Sequence, residues 1–269
     1  MAADSMLDVE KNDHVATVWI DNQAKRNALG VAFWRDMPGV MDDINADEDV
    51  RAVVIAGRGA CFTAGIDVAF LAGQAGGMEP QPGLFKGLKG IHRLQQAITA
   101  VAECEKPTIA AIHSWCVGAG VDLITACDIR LAAADAKFSV RETRLGLAAD
   151  VGTLQRLPRL IPAGHVAELA FTGKDIDAER ACRIGLVNDV YPDVDGVLKA
   201  AHELAAEIAA LSPGAVQGTK VVLKHAVDHT VEEGLEFVAL WNSSQLPRKD
   251  MQEAMTAFLE KRPPKFTGS

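Results

Sequence analysis

Hydrophobic positions in the first two thirds of the chain fall into short runs separated by polar or glycine-containing turns. The alternating, β-branched run at 14–20 is typical of a strand, and the continuous apolar runs at 50–57 and 107–113 are typical of strands buried on both faces. Residues 31–47 and 84–104 have the spacing of amphipathic helices. Strand and helix alternate to about residue 190, which predicts an α/β fold with a mainly parallel sheet and helical crossovers.

From about residue 194 the pattern changes and is helical almost throughout. Within 248–260 a single helical stripe collects the apolar side chains Met251, Ala254, Met255 and Phe258. We therefore divide the chain into a core, residues 1–195, and a helical C-terminal region, residues 196–269. Residues 73–83 are rich in Gly and Pro and are typical of a loop.

Composition and charge narrow the classes of function. The 269 residues are 49% hydrophobic, enough for a substantial core, and the net charge of −9 comes without a Lys/Arg cluster, so a nucleic-acid partner is not expected. Apolar runs of about 18 residues are missing, which argues against a membrane partner. The five scattered cysteines predict reduced intracellular thiols, and the acidic start resembles neither a secretory signal nor a transit peptide. We therefore expect a cytoplasmic location.

Two loops place glycine between a buried strand and a helix: "CFTAGID" at 61–67 and "WCVGAGVD" at 115–122. Such turns present unpaired backbone N–H groups at a helix start. If the two loops face one point, these groups form an oxyanion hole. The alternative is that the glycines only permit tight turns.

Three acids stand in largely apolar surroundings: Asp122, Glu142 and Asp150. A buried carboxylate must be paired or hydrogen-bonded, or its pKa rises, so the three predict a proton-handling cluster. Two structural explanations compete with this one. Asp122 sits in the first turn of its helix and favours the helix dipole there, and Arg141 and Arg144 flank Glu142 and are able to neutralise it.

Several segments together resemble the enoyl-CoA hydratase/isomerase (crotonase) superfamily. They are "DNQAKRNAL", "CFTAGID", "VGAGVDLITACDIRLAAADAKF", "LGLAADVGTLQRLPRLI" and "AFTGKDIDAERACRIGLVNDV". The resemblance implies a crotonase-type ββα spiral core and a C-terminal helical region that forms homotrimers, often paired into hexamers (dimers of trimers). It also implies an acyl-CoA thioester substrate and an enolate held by the N–H groups of Ala64 and Ala119. Position 119 is commonly Gly in the family, and Ala is tolerable there if its φ is negative.

The acids distinguish branches of this family. Hydratases usually carry Glu at positions 122 and 142 and an uncharged turn around 150, whereas Asp122 with Asp150 is similar to the Δ3,5-Δ2,4-dienoyl-CoA isomerases. The resemblance then implies that Asp150 removes a proton from C2 and Glu142 returns one at C6, with the swapped assignment open, while Asp122 tunes the pair. No metal or redox cofactor is expected. The alternatives are an enoyl-CoA hydratase that adds water to trans-2-enoyl-CoA in fatty acid β-oxidation, and a non-catalytic acyl-CoA-binding module.

The resemblance also assigns CoA contacts. The candidates in the first part of the chain are Lys25, Arg26, Ala28, Ala64, Gly65, Ile66 and Asp67. Phe258 and Lys261 match positions that reach CoA from a neighbouring subunit. Alternatively, Lys25 and Arg26 lie in a solvated loop, Phe258 packs in the core with Met251 and Met255, and Lys261 caps a helix. Residues 73–83 are expected to border the pocket of the acyl tail.

Overall fold

A computed structural model describes residues 5–71, 84–245 and 249–268. Residues 73–83, expected beside the acyl-tail pocket, lie outside the described residues. The described strands are β1 (Leu7–Asn12), β2 (Val15–Ile20), β3 (Ala52–Gly57), β4 (Thr108–Ile112), β5 (Trp115–Val117), β6 (Ile129–Ala133), β7 (Lys137–Ser139), β8 (Ile176–Asp177) and β9 (Asp189–Tyr191). The helices named below are α1 (Val31–Ala46), α2 (Leu84–Ala102), α3 (Ala119–Ala126), α4 (Thr153–Arg156), α5 (Ala163–Thr172), α6 (Ala178–Arg183), α7 (Val194–Ala209), α8 (Pro213–His225), α9 (Val231–Gln245) and α10 (Lys249–Glu260).

The main sheet has the strand order β1-β2-β3-β4-β6-β9. Only β1 and β2 pair antiparallel in it, and every other neighbouring pair is parallel. A second sheet has the order β5-β7-β8 and lies where the chain leaves β4 and β6. The predicted α/β fold with a mainly parallel sheet is therefore confirmed.

Strand periodicity explains the two apolar layers of the main sheet. In β3, Val53 and Ile55 face the larger core, and Val54 with Ala52 and Ala56 faces the other side. This alternation is the period of two expected when both faces are covered. The larger core is closed by α1 and α2, which explains the apolar spacing that predicted both helices.

Helix α7 covers the opposite face of the sheet. It turns a stripe of small residues towards the strands: Val197, Ala201, Ala205 and Ala209. Alanine at every fourth position lets the helix axis approach the sheet closely. Because α7 packs directly on the sheet, α8 is the first helix of the C-terminal part that does not. The boundary at residues 195 and 196 stays a prediction.

The structure bears on two expectations from the sequence, one about membrane-spanning helices and one about the cysteines. Within residues 5–71, 84–245 and 249–268, no helix combines the length and the apolar character needed to cross a bilayer. All five cysteines are free thiols, as predicted from their spacing.

Candidate active site

The two glycine loops lie side by side. Thr63 pairs with Cys116 in a parallel bridge, and the Thr63 N–H donates to the Trp115 carbonyl at 2.9 Å. Gly65 has a φ of +92°, and a Cβ at this position would come within 2.5 Å of the Val117 carbonyl oxygen. Glycine is therefore required for the close approach of the two loops, and the predicted convergence is observed.

Most backbone N–H groups of the first loop already have acceptors. The Ala64 N–H donates to the Arg26 carbonyl at 3.0 Å, and the Gly65 N–H donates to Thr63 Oγ1 at 3.1 Å. The Ile66 N–H, by contrast, has no acceptor among the described residues. An amide bonded to a carbonyl is not available to a ligand, so the donor that this loop offers is Ile66 and not Ala64.

The second loop leaves a matching donor at the start of α3. Gly118 adopts a φ of +52° and donates its N–H to the Ser139 carbonyl at 2.8 Å. The next N–H, of Ala119, has no acceptor within the described part of the chain. Ala119 does not have a positive φ, which meets the condition for Ala in place of Gly. The positive end of the helix dipole adds to the pull of this amide on a negative oxygen.

Asp122 is buried inside α3, where it is 1% exposed. Its Oδ1 accepts the Thr153 N–H at 2.5 Å, so the carboxylate bonds to the start of α4 and does not cap its own helix. Burial raises the pKa of Asp122 to about 6, the Thr153 bond opposes this rise, and the negative charge of Asp150 adds to it. Asp122 therefore makes no capping hydrogen bond, although it does lie in the first turn of its helix, where its charge favours the helix dipole.

Glu142 begins a short 3₁₀ helix and points to the amide loops. Its Oε1 lies 3.2 Å from where a Cβ on Gly118, the residue before Ala119, would sit. Its Oε2 is buried without a hydrogen-bond partner among the described residues. Burial, followed by the charge of Asp122, raises the pKa of Glu142 to about 7. Glu142 is thus able to exchange a proton near neutral pH.

The flanking arginines do not neutralise Glu142. Arg141 pairs with Asp175, and Arg144 Nε donates to the Thr172 carbonyl at 3.3 Å. Both arginine side chains therefore bond to groups other than the Glu142 carboxylate. The competing explanation, a structural ion pair with Glu142, is wrong.

Asp150 completes the group, although it is an exposed residue. Partial burial of its carboxyl group raises its pKa above the ordinary value. Its negative charge is one cause of the raised pKa of both Asp122 and Glu142, which shows that the three carboxyl groups are electrostatic neighbours. The three predicted acids form one electrostatic cluster beside the free amides.

Most of the predicted CoA contacts meet at the same place. The Leu29–Ile66 bridge joins the 22–29 loop to the first glycine loop, and Lys25 Nζ donates to Asp67 Oδ2 at 2.7 Å across it. Arg26 adopts a φ of +52° and Ala28 accepts a hydrogen bond from Asn22 Nδ2 at 3.0 Å. Lys25 therefore has an internal partner that an anionic ligand would have to share.

Phe258 and Lys261 are not packed into the core of their own chain. Phe258 lies on α10 and is 83% exposed, and Met251 and Met255 on the same helix are exposed as well. The alternative that Phe258 packs in the core with these methionines is therefore wrong. Lys261 directly follows α10 with a φ of +54°.

Comparison with known proteins adds evidence from whole chains. Residues 10–269 match the family model described as enoyl-CoA hydratase/isomerase. The chain is 45% identical to the mitochondrial Δ3,5-Δ2,4-dienoyl-CoA isomerase of Dictyostelium discoideum, over 97% of this chain and 90% of that one. It is 46% identical to the mitochondrial protein of that name from Homo sapiens, over 93% and 77% of the two chains.

A solved structure titled enoyl-CoA hydratase from Bacillus anthracis superimposes with a TM-score of 0.91 at 30% identity. The match covers 98% of this chain and 100% of that one. The predicted crotonase-type fold is confirmed by this likeness.

The comparisons also correct one expectation from the sequence. A cytoplasmic location is contradicted, because both isomerases are named as mitochondrial proteins.

The family assignment now rests on three independent kinds of evidence. The sequence segments predicted it, the described fold has the crotonase form, and the family model covers nearly the whole chain. The chain belongs to the enoyl-CoA hydratase/isomerase family.

Proposed function

We propose that this protein is an isomerase that converts a 3,5-dienoyl-CoA to the 2,4-dienoyl-CoA. The observation that carries the proposal is the third acid, Asp150, whose charge acts on both Asp122 and Glu142 beside two free amides. The conversion needs one proton removed from C2 and one added at C6. Two separated carboxyl groups in one cleft suit that demand, and the names of the similar proteins support it.

The thioester oxygen is placed at the N–H groups of Ile66 and Ala119. When a proton leaves C2, negative charge develops on this oxygen, and neither amide has an acceptor among the described residues that it would have to give up. In other enzymes the loss of one such donor costs about 2.7–4 kcal/mol of transition-state stabilisation. This assignment keeps Ala119 from the sequence-based pair and replaces Ala64 with Ile66.

We assign Glu142 as the base at C2 and Asp150 as the acid at C6. C2 is bonded to the thioester carbon, so its base must lie beside the amides, and Glu142 Oε1 lies next to Gly118. The C2–H electrons form the C2–C3 double bond, the two double bonds shift by one position, and C6 takes a proton from Asp150. This reverses the sequence-based preference, since geometry takes precedence over pKa in choosing a base. Asp122 holds the Asp150 loop by accepting the Thr153 N–H, and its negative charge helps to raise the pKa of Glu142.

The reaction as written moves protons only, so it requires neither a metal nor a redox cofactor. Lys25 and Arg26 are placed to meet CoA phosphates, with Ala28, Gly65 and Asp67 lining the same loops. We also propose that the chain forms homotrimers or hexamers, and that Phe258 and Lys261 reach CoA bound to a neighbouring subunit. The exposed apolar side chains of α10 support an interface there.

Two substrates offered to one preparation test the proposal. The purified protein is assayed with a 3,5-dienoyl-CoA, following the absorbance of the conjugated 2,4-dienoyl product, and with crotonyl-CoA, following hydration. We expect the diene to be the better substrate by kcat/KM. Efficient hydration without a diene shift would make the protein a hydratase, and tight binding without turnover of either thioester would make it a binding module.

The pH dependence of kcat/KM follows from the acid cluster. The active form must hold one proton on the Glu142–Asp150 pair, whichever acid carries it in the free protein. Because the pKa of Glu142 is raised to about 7, we expect kcat/KM to fall as pH rises through about 7 and the pair loses this proton. It should fall again at lower pH, when both acids are protonated. A rate that keeps rising to pH 9 would contradict this role of Glu142.

A further inference from the structure

The loop that carries Asp150 is held by side chains from three different elements. Gln95 Nε2 on α2 donates to the Asp150 carbonyl at 2.7 Å. Arg156 Nη1 on α4 lies 3.4 Å from the Val151 carbonyl, and Asp122 accepts the Thr153 N–H from α3. Backbone groups of this loop are thus fixed on both sides of Gly152.

Gly152 makes room for the guanidinium of Arg156. It has a φ of +135°, and a Cβ there would lie 1.8 Å from Arg156 Nη1. The other end of the guanidinium reaches α2, where Arg156 Nη2 donates to Thr99 Oγ1 at 3.2 Å. Gln95 and Thr99 are four residues apart and so lie on one face of α2. Side chains from one helix face therefore hold the loop and its arginine together.

Arg156 forms no direct ion pair with a carboxylate among the described residues. Burial and the negative charge of Asp150 raise the pKa of Asp122, whereas the positive charge of Arg156 lowers it. The groups that act on Arg156 itself are Asp122 and Glu103, which favour its charge, and Arg159, which opposes it. Glu142 and the thiol of Cys116 complete the titratable groups around Asp122.

We propose that Gln95 and Arg156 are positioning residues that clamp the Asp150 loop over the reacting tail. The inference rests on the proposed isomerase function, because it concerns the acid assigned to C6. Neither side chain touches the substrate in this scheme. Both act through backbone carbonyl groups of the Asp150 loop.

Three variants test the clamp. Gln95→Met removes one hydrogen bond at similar length, and we expect a loss of about five- to tenfold in kcat with KM and the pH profile unchanged. Arg156→Gln removes the guanidinium that bonds to Val151 and Thr99, and we expect a similar loss in kcat, again with KM unchanged. Arg156→Lys keeps the charge but cannot bond to both groups as the guanidinium does, so it should not restore kcat.

Several results would overturn the inference. An unchanged kcat in both Gln95→Met and Arg156→Gln would remove the clamp, and full activity in Arg156→Lys would show that the hydrogen bonds of Arg156 do not position the loop. Thermal unfolding of each variant identifies any that fail to fold. If the unaltered protein does not isomerise dienes, the proposed function fails instead. In that case hydrogen exchange at the Val151–Thr153 amides still tests the clamp, since Gln95→Met should speed it and equal rates would refute it.

Discussion

Glu142→Gln is expected to lower kcat for a 3,5-dienoyl-CoA by roughly 10²–10⁴-fold, the range usual for removal of a general base. The amide has nearly the shape of the acid but cannot take a proton from C2. Glu142 Oε2 is buried without a hydrogen-bond partner among the described residues, and none of those residues is assigned to take its place as the base. KM should change little, since the amides of Ile66 and Ala119 remain in place.

The same substitution should make the protein more stable at alkaline pH. In the folded chain the pKa of Glu142 is raised from 4.5 to about 7, so the native state binds more protons than the unfolded state within this window. Stability therefore falls as pH rises from 4.5 to 7, by about 3 kcal/mol for such a shift. Gln does not ionise, so Glu142→Gln should unfold at a higher temperature than the unaltered protein at pH 8, and the difference should shrink at pH 5.

Arg144→Gln is the matched control for this prediction. Arg144 is two residues from Glu142 but directs its guanidinium to the Thr172 carbonyl, so its loss should leave kcat within about twofold. Activity that survives in Glu142→Gln and is lost in Arg144→Gln would show that the wrong side chain has been assigned. A loss of stability at pH 8 in Glu142→Gln would contradict the raised pKa.

The sequence predicted the elements of this fold well because their signals are local. Strands β3 and β4 are continuous apolar runs, β2 alternates and α1 is amphipathic, so periodicity alone finds them. The acids at 122 and 142 were found for a related reason. A carboxylate among apolar residues has a high cost that must be met by function or by a partner, and the structure excludes the arginine partner for Glu142. Asp150 is exposed, so this argument does not apply to it, and its assignment rests on the family resemblance.

The free amide of the first loop could not be predicted in this way. Which N–H remains unpaired depends on the chain that crosses the loop, and here the Arg26 carbonyl takes the Ala64 N–H. Arg26 and Asn27 both adopt positive φ, which sequence patterns do not specify for such residues. One signal was available: a glycine at 65 that must adopt positive φ turns the next N–H, of Ile66, away from its neighbours.

The second large effect is expected from Asp150→Asn, which should lower kcat by roughly 10²-fold while acyl-CoA binding stays nearly intact. The loss should be smaller than that in Glu142→Gln, because Asp150 is exposed and water is able to deliver part of the missing proton. Asp43→Asn, an exposed aspartate on α1, is the matched control and should leave kcat unchanged.

Isotope exchange with deuterated solvent separates the two carbons. If Glu142 serves C2 and Asp150 serves C6, Asp150→Asn should still exchange the C2 hydrogen of the substrate, because the base and both amides remain. Product formation, which needs a proton at C6, should be slow in the same sample. Glu142→Gln should lose both C2 exchange and turnover.

The opposite pattern has an equally definite meaning. Exchange at C2 that disappears in Asp150→Asn and persists in Glu142→Gln would restore the sequence-based assignment, with Asp150 as the base. The position of Glu142 Oε1 beside Gly118 would then have to reflect a contact that the bound thioester displaces. Full activity in Asp150→Asn would exclude Asp150 from the reaction, and with it the feature that separates a diene isomerase from a hydratase in this cleft.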